Sequence, residues 1–357
     1  MRKASAVFLA ALWLGLAAAC WLKPADTASV SERRPLAQRP ALTGESLLSG
    51  RFTADFETYT MDQFPAREGF RTLKALSHYG LLGQRDNNGI YLTKGQAAAL
   101  TDPLWEKSAA SAAAKLTALY ERYLQGEHHR VVLSVVPDKG YYLARQGGWP
   151  AMDYERLFAM MRLPFAVDVD LTDTLSAADY YPTDTHWRQE CLLPAAEKLA
   201  GALGVALAGD FTPEDTGIDF YGVYAGQAAL PLPPDRLTLM TSPTLSECTV
   251  RHAEGGKATA VYDREKLTSR DPYEVYLSGA SAVVTVENPC ATGKLVIFRD
   301  SFGSSLAPLL IPSYGEVVLV DTRYIDPALV GDYVDFTGAD VLFLYSTLLL
   351  AGSGAMK

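Results

Sequence analysis

Short runs of consecutive apolar residues restrict the fold of this chain more than any other feature of its sequence. A strand with one solvated face alternates apolar and polar residues, whereas a strand covered on both faces is apolar almost throughout. Runs of the second kind occur at residues 130–136 (RVVLSVV), 294–298 (KLVIF), 316–320 (EVVLV) and 340–345 (DVLFLY). The segments between them are long enough for crossovers. We therefore predict an α/β fold, a three-layer α/β/α sandwich with a mostly parallel sheet.

The remaining segments predict helices, one further strand and an insertion. Residues 104–127 and 186–203 have helical spacing, the second despite Pro194, and a short helix is expected at 305–311. Another strand is predicted at 165–171. Residues from about 210 to 289 are dense in Pro, Gly, Tyr and Thr, which predicts a loop-rich insertion with short antiparallel strands.

The N-terminus has the pattern of a membrane-targeting segment. A basic Met1-Arg2-Lys3 precedes 19 uncharged residues, Ala4–Leu22, which is just sufficient for a helix to cross a bilayer. An uncleaved anchor, a lipoprotein modified at Cys20 and a cleaved signal peptide all remain open, and each places the rest of the chain outside the cytoplasm. A buried apolar helix is disfavoured because no second such run exists to pair with it.

The chain after this segment divides by composition. Residues 23–50 are rich in Pro, Ser, Ala, Thr and Arg and contain few bulky apolar residues, which predicts a linker. Residues 51–357 are expected to form one folded domain, with the insertion inside it. We therefore predict three parts: a signal or anchor at 1–22, a linker at 23–50 and a domain at 51–357.

Charge and cysteine content exclude several functions. Acidic residues outnumber basic ones by 41 to 32, for a net charge of −9, and no basic stripe offers a surface for nucleic acid. The four cysteines form no CxxC pair and no zinc-binding spacing. We expect neither a metal nor a cofactor. Cys248 and Cys290 both lie in the insertion, and we predict a disulfide between them, provided that their Cα atoms lie within about 7 Å.

A serine follows one of the predicted strands directly. In the string FRDSFG, Asp300 and Ser301 end the strand that begins at Lys294, and Gly303 opens a helix. Such a serine lies at the carboxyl edge of the sheet, where open α/β sheets bind their ligands. The backbone N–H groups of Ser301, Phe302 and Gly303 are candidate oxyanion donors. The alternative is that Ser301 only caps the helix.

A second pattern supplies a candidate base. In YYPTDTHW, Asp184 and His186 are two residues apart in an extended segment, so their side chains project to the same side. A histidine held by a carboxylate is the usual base for activating a serine. The alternatives are that Thr183 or Asp184 caps the following helix, or that Asp184 and His186 belong to an incomplete metal site.

Taken together, these strings resemble a known family. The chain resembles the DHHW family and its relatives AlgX and AlgJ, the SGNH-hydrolase-like alginate O-acetylation proteins. The similar strings are YYPTDTHW, FRDSFG, DQFPAR (62–67), NNGIYL (87–92), VPDK (136–139) and VDTRY (320–324). The resemblance spans roughly residues 52–345. It implies an SGNH-like domain in which Asp184, His186 and Ser301 form a catalytic triad. Thr185 stands at the second position of the Asp-His-His-Trp string that names the family, in place of the first of its two His residues.

The resemblance also implies a function. We expect an O-acyl transferase, and most simply an O-acetyl transferase, that acts on a cell-surface glycan outside the cytoplasm. The family also implies a membrane-embedded partner that donates the acyl group. An esterase that removes acyl groups and a non-catalytic protein that binds glycans or assists their assembly are the alternatives.

Four further side chains are candidates for substrate binding. Arg323 and Lys139 follow strand ends, where they could bind an anionic sugar or an acyl oxygen. A surface salt bridge is the alternative for Arg323, and the same ambiguity holds for Lys139. Tyr221 and Tyr224, in DFYGVYAG, could form an aromatic rim for a sugar, or simply pack.

Overall fold

A computed structural model describes residues 2–126, 129–352, 354 and 356–357. Residues 1 and 127, the predicted start of the anchor and the predicted end of a helix, lie outside the described residues. Contacts between Cα atoms divide the chain into two compact units. Unit 1 comprises Met1–Ile90 with Ala225–Leu232, and unit 2 comprises Tyr91–Tyr224 with Pro233–Lys357.

The bounds of the helices and strands are as follows. The α-helices are α1 (Arg2–Leu22), α2 (Gly44–Leu48), α3 (Arg51–Asp62), α4 (Arg67–Leu76), α5 (Glu106–Tyr123), α6 (Lys139–Gly147), α7 (Tyr154–Met161), α8 (Leu193–Leu203), α9 (Val223–Ala228), α10 (Pro243–Glu247), α11 (Phe302–Leu310) and α12 (Thr347–Ala351). The strands are β1 (Ala28–Ser29), β2 (Arg34–Pro35), β3 (Asp86–Asn87), β4 (Ile90–Thr93), β5 (Gln96–Ala99), β6 (Val131–Val136), β7 (Val167–Asp168), β8 (Thr212–Phe220), β9 (Asp235–Thr241), β10 (Thr249–His252), β11 (Val283–Glu287), β12 (Lys294–Arg299), β13 (Glu316–Val320) and β14 (Ala339–Ser346).

Unit 2 is built on a seven-stranded sheet in the order β10-β11-β13-β12-β14-β6-β7. The strands from β13 to β7 are parallel, and β10 and β11 are antiparallel additions at one edge. The mostly parallel sheet is therefore confirmed. Its central strands are the continuously apolar runs, and all six residues of β6 are buried. The strand expected at 165–171 is only the two residues of β7.

Helices cover both faces of this sheet, as a three-layer sandwich requires. Side chains alternate along β12, so that Leu295 and Ile297 join one core cluster with α8 and α11, whereas Val296 and Phe298 join another with α5, α7 and α12. Both faces therefore bury apolar area, which is why the strand sequences are apolar almost throughout.

The helix expected from residue 186 begins later, at Leu193. Proline fits the first turn of a helix, because it has no N–H to donate and its φ is preset. Pro194 occupies that first turn. The residues from His186 to the start of α8 are consequently a loop and a 3-10 turn at Gln189–Cys191, and the prediction for this part was wrong. His186 therefore lies on a loop and not on a helix.

Segments of the insertion pair in an antiparallel manner, as its composition suggested. β8 pairs with β9, and β10 pairs with β11. The predicted Cys248–Cys290 disulfide is wrong, since both residues are free thiols. Thr249, the residue after Cys248, pairs with Glu287, three residues before Cys290.

Unit 1 contains the N-terminal helix and the segment expected to be a linker. The Ala4–Leu22 stretch of α1 is long and apolar enough to cross a membrane, with a mean hydropathy of 2.0, and none of it is buried. Residues 23–50 include the β1–β2 hairpin and α2. Arg34, on β2, pairs with Asp62 through two hydrogen bonds of 2.8 and 2.6 Å, which lower the pKa of Asp62 to about 2. The domain boundaries stay a prediction.

Candidate active site

Ser301 occupies the turn between β12 and α11. Its Oγ lies 2.8 Å from Nε2 of His186. The backbone of Ser301 is already helical (φ −64°, ψ −22°), and its side chain makes no capping hydrogen bond to the helix. The interpretation of Ser301 as only a helix cap is therefore wrong, because its hydroxyl faces the histidine.

Asp300 holds this turn in place. One carboxylate oxygen accepts the N–H of Phe302 at 3.0 Å and the other accepts the N–H of Ser346 at 2.8 Å, which joins the turn to the end of the neighbouring strand β14. Gly303 is required at the next position, because a Cβ there would lie 2.6 Å from the Cβ of Arg299. Together these contacts fix where the Ser301 hydroxyl can point.

Asp184 contacts the other nitrogen of the His186 ring. Its Oδ1 lies 2.6 Å from Nδ1 and also accepts the His186 backbone N–H at 3.0 Å. Its Oδ2 accepts the N–H of Val223 at 2.7 Å. A carboxylate at Nδ1 keeps the proton on that nitrogen, so Nε2 carries the lone pair that accepts the Ser301 hydroxyl. Since α8 begins at Leu193, Asp184 does not cap it.

A buried network supports the loop that carries Asp184 and His186. The backbone N–H and the hydroxyl of Thr183 donate to Asp235 at 2.8 and 2.6 Å, and the same hydroxyl oxygen accepts the N–H of Gly222 at 2.8 Å. Gly222 approaches so closely that a Cβ would lie 2.3 Å from the carbonyl oxygen of Thr183 and 2.4 Å from Cα of Asp184. Only glycine fits there without displacing the loop.

Tyr273 forms one wall of the site, and the sequence analysis did not identify it. Its ring stacks on the His186 imidazole, with centroids 4.0 Å apart and an interplanar angle of 14°. Its hydroxyl donates to Ser305 Oγ at 2.8 Å, and the same oxygen accepts Nε1–H of Trp187 at 2.9 Å. Tyr273 lies within the insertion and has no local motif, so only its position in the fold relates it to His186.

Lys139 lies beneath the loop and not at its surface. Its side chain is 1% exposed, and its Nζ donates to the carbonyl oxygens of Tyr181 at 2.9 Å and Pro182 at 3.1 Å. Burial lowers the pKa of Lys139 to about 7, and nearby carboxylates, chiefly Asp184, offset only part of that effect. This corrects the prediction that Lys139 contacts substrate.

The other predicted substrate-binding residues differ in accessibility. Tyr224 is buried, its hydroxyl donates to Thr185 at 3.1 Å, and its ring faces the Lys139 ammonium at 5.1 Å, so its burial also contradicts a contact with sugar. Tyr221 is exposed. The Arg323 guanidinium is half-buried and donates hydrogen bonds of 2.9 and 2.6 Å to the carboxylate of Asp321. Substrate binding by Tyr221 and Arg323 stays a prediction.

The predicted oxyanion donors are also not equivalent. The N–H of Phe302 donates to the Asp300 carboxylate, and the N–H of Gly303 donates to the Asp300 carbonyl at 3.1 Å. Both N–H groups therefore already have acceptors within the turn. Within the part of the chain that the structure describes, the N–H of Ser301 has no hydrogen-bond acceptor. The oxyanion prediction stays open for Ser301 alone.

The site thus brings together Asp184, His186 and Ser301 in one chain of contacts of 2.6 and 2.8 Å. All three residues belong to unit 2. Such a chain can transfer a proton from a hydroxyl to an imidazole, which is the requirement for nucleophilic attack by serine. Among the described residues, no group of three or more His, Cys, Asp or Glu side chains is arranged to hold a metal ion.

Comparison with known proteins supports the same fold. No protein-family model and no curated protein sequence matches the chain. A DHHW family protein from Eubacterium siraeum DSM 15702 superposes with a TM-score of 0.60 at 24% identity, covering 76% of this chain and 94% of that one. PatB1 from Bacillus cereus superposes with a TM-score of 0.56 at 16% identity, covering 75% and 98%.

The O-acetyltransferase domain of AlgJ from Pseudomonas putida is a more distant neighbour, with a TM-score of 0.46 at 15% identity, covering 74% of this chain and 94% of that one. The first two similarities extend over almost the full length of those proteins. The resemblance to the DHHW family that the motifs suggested is therefore confirmed at the level of the fold.

Proposed function

We propose that this protein, which shares its fold with a DHHW family protein and PatB1, is an O-acyl transferase that modifies a cell-surface polysaccharide outside the cytoplasm. Acetyl is the acyl group that the motif resemblance implies. The single observation that carries the proposal is the contact chain from Asp184 through His186 to the hydroxyl of Ser301.

In the first step, Ser301 Oγ attacks the acyl carbonyl of a donor ester while Nε2 of His186 takes the hydroxyl proton. Asp184 stabilises the imidazolium through Nδ1–H and does not itself take the proton. The tetrahedral intermediate collapses when Nε2 returns the proton to the departing donor alcohol. The products are the free alcohol and an acyl ester on Ser301.

In the second step, a sugar hydroxyl attacks the Ser301 ester and gives its proton to Nε2. Collapse of the second intermediate returns that proton to Ser301 Oγ, and the acyl group leaves on the sugar. The N–H of Ser301 is the backbone donor available to each oxyanion. Water in place of the sugar would make the same residues an esterase.

The proposed setting follows from the N-terminus. α1 is long and apolar enough to serve as an anchor or a signal, which supports a position of unit 2 on the side of the membrane where surface polysaccharides lie. A membrane-embedded protein that supplies the acyl donor is part of the proposal because the motif resemblance implies it.

A sulfonyl fluoride tests the nucleophile directly, because it modifies activated serine hydroxyls irrespective of the acyl acceptor. A sulfonyl adduct has been described for PatB1. We expect intact-mass measurement of the full chain in detergent to show one adduct, mapped to Ser301 by peptide sequencing. Ser301→Ala should abolish it. Ser304→Ala is the matched control, since that hydroxyl accepts from Arg299 at 3.0 Å, and it should still be labelled.

A chromogenic acetyl ester offered with candidate oligosaccharides then distinguishes the functions. A transferase gives acetylated oligosaccharide by mass spectrometry, and an esterase gives only acetate. Absence of both the adduct and turnover would leave the non-catalytic glycan-binding protein as the correct description.

A further inference from the structure

Exposed apolar side chains are concentrated in the part of unit 1 that follows α1. Single exposed apolar residues are ordinary on soluble proteins, whereas a contiguous group marks a surface that contacts a partner or a membrane. Six such side chains lie on α3, on α4 and just beyond α4, and each is between 47% and 82% exposed. They are Met61, Phe70, Leu73, Leu76, Leu81 and Leu82.

α4 separates apolar from basic residues around its axis. Arg67, Arg71 and Lys74 recur at the spacing of one helix face, and Phe70 and Leu73 project from the neighbouring one. A helix of this kind lies in the plane of a membrane interface, with its apolar side in the acyl chains and its cations near the headgroups.

The cations of α4 already have partners. Arg67 pairs with Glu32 at 2.6 Å, and Arg71 pairs with Glu68 at 2.9 Å. The Lys74 ammonium donates to Asn88 at 3.0 Å. Because the two arginines are paired with carboxylates and, among the described residues of α4, only Lys74 keeps an uncompensated charge, the apolar surface and not net charge must supply most of any affinity for a bilayer.

α1 contacts the same region. Trp13, Leu16 and Cys20 of α1 line a groove of about 560 Å³ together with residues of α3 and α4. These include the apolar Met61 and Phe70 and also the three cations of α4, Arg67, Arg71 and Lys74. Near the end of α1, Trp21 packs against Phe56 of α3, with ring centroids 6.4 Å apart. The groove is therefore bounded on one side by the helix that can span a membrane.

The depth of this contact follows from helix geometry. At 1.5 Å per residue, Trp13 lies roughly 13 Å along the helix from Leu22. The hydrocarbon core of a bilayer is about 30 Å thick. If Leu22 marks the outer boundary of the core, Trp13 lies within the outer half of the hydrocarbon. Cys20, which lines the same groove, lies roughly 3 Å from that boundary, so the groove extends from the hydrocarbon to the headgroup level.

We propose that α4 and the end of α3 at Met61 lie in the outer leaflet of the bilayer that α1 crosses. Acyl chains of phospholipid cover Phe70, Leu73 and Leu76 and enter the groove beside α1 at its inner end, and Arg67 and Lys74, which also line the groove, lie at its outer end near the headgroups. This inference rests on α1 remaining attached as a membrane span, and it does not depend on the proposed acyl transfer.

The full chain, reconstituted in phosphatidylcholine nanodiscs that contain a phospholipid with a diazirine in its acyl chain, tests the proposal. After illumination and proteolysis, we expect lipid adducts on the peptide covering residues 67–82 as well as on α1. Leu73→Ser with Leu76→Ser should lower the adduct yield on 67–82 to background and leave the α1 adducts unchanged. Leu329→Ser, at an exposed position of unit 2, is the matched control and should change neither.

Adducts confined to α1 would overturn the proposal. So would chemical crosslinks that join the 67–82 peptide to a second copy of the chain in place of lipid. The readout is a lipid adduct, so a protein with no acyl transferase activity gives the same result, and the two proposals can fail separately.

Discussion

The buried Lys139 makes a quantitative prediction about stability. Its ammonium donates to the Tyr181 and Pro182 carbonyls just before the Asp184 loop, with no ion pair within 4 Å in the described part of the chain. Burial lowers its pKa to about 7, whereas a lysine in an unfolded chain has a pKa of about 10.4. Between these two values the unfolded state binds a proton that the folded state has released.

The sign and magnitude follow by linkage. Where the unfolded state binds more protons, the free energy of unfolding rises with pH, by about 1.36 kcal/mol per pH unit for one full proton. Lys139 is half protonated in the folded state near its pKa, so the gain between pH 7 and pH 9 is about 2 kcal/mol. The stabilisation gained when Lys139 is neutral is complete above the pKa of the unfolded state and is lost as the pH falls through the pKa of the folded state, about 7.

Urea unfolding of the full chain in detergent at pH 7 and pH 9 measures this difference. We compare the parent protein with Lys139→Met, which cannot titrate, and subtract their pH dependences so that every other group cancels. Lys94→Met, at an exposed position, is the control and should retain the parent's pH dependence. If Lys139→Met and the parent gain the same free energy from pH 7 to pH 9, Lys139 is not a buried group with a lowered pKa, and the reasoning is refuted.

Three further predictions concern the site. Ser301→Ala and His186→Ala should each lower acyl transfer by several orders of magnitude, and the double variant should lose little more than either single one, because the residues act as a unit. The melting temperatures of the variants should change little. Additive losses of activity in the double variant would contradict the triad. Asp184→Asn should lower turnover by roughly 10³–10⁴-fold by favouring the wrong His186 tautomer, whereas retention of activity would show that the carboxylate only shapes the loop. Gly222→Ala should lower the free energy of unfolding in urea by about 1–3 kcal/mol, because the added Cβ clashes with the Asp184 loop. Gly201→Ala, on α8 with no atom within 4 Å of the added Cβ, is the control and should not destabilise the protein through such a clash.

The sheet was predictable because its signal is local. β12, β13 and β14 coincide closely with the apolar runs, since burial of both faces demands an apolar residue at each position. The start of α8 was missed because a helical periodicity does not show where the first turn begins, and Pro194 decides that. β7 was overestimated because an extended segment near a sheet need not pair along its length.

The residues of the site likewise fall into those that the sequence predicted and those that only the structure identified. Local chemistry suggested Asp184, His186 and Ser301, because a D-x-H string and a serine after a strand are recognisable from neighbouring residues. The burial of Lys139 and Tyr224 and the stacking of Tyr273 on His186 depend on elements far apart in the chain. No window of sequence contains both partners, so these could not be predicted.

The sequence by itself determined the central strands of the sheet, the apolar N-terminal helix and the three residues proposed for catalysis, because each depends on periodicity or on side chains a few positions apart. The tertiary structure decided which groups are available for chemistry. It brings Ser301 Oγ within 2.8 Å of His186, commits the N–H groups of Phe302 and Gly303 to Asp300 and removes Lys139 from solvent. Exposure and hydrogen-bond partners are set by packing between distant segments, and that packing exists only once the sheet and its crossovers have formed.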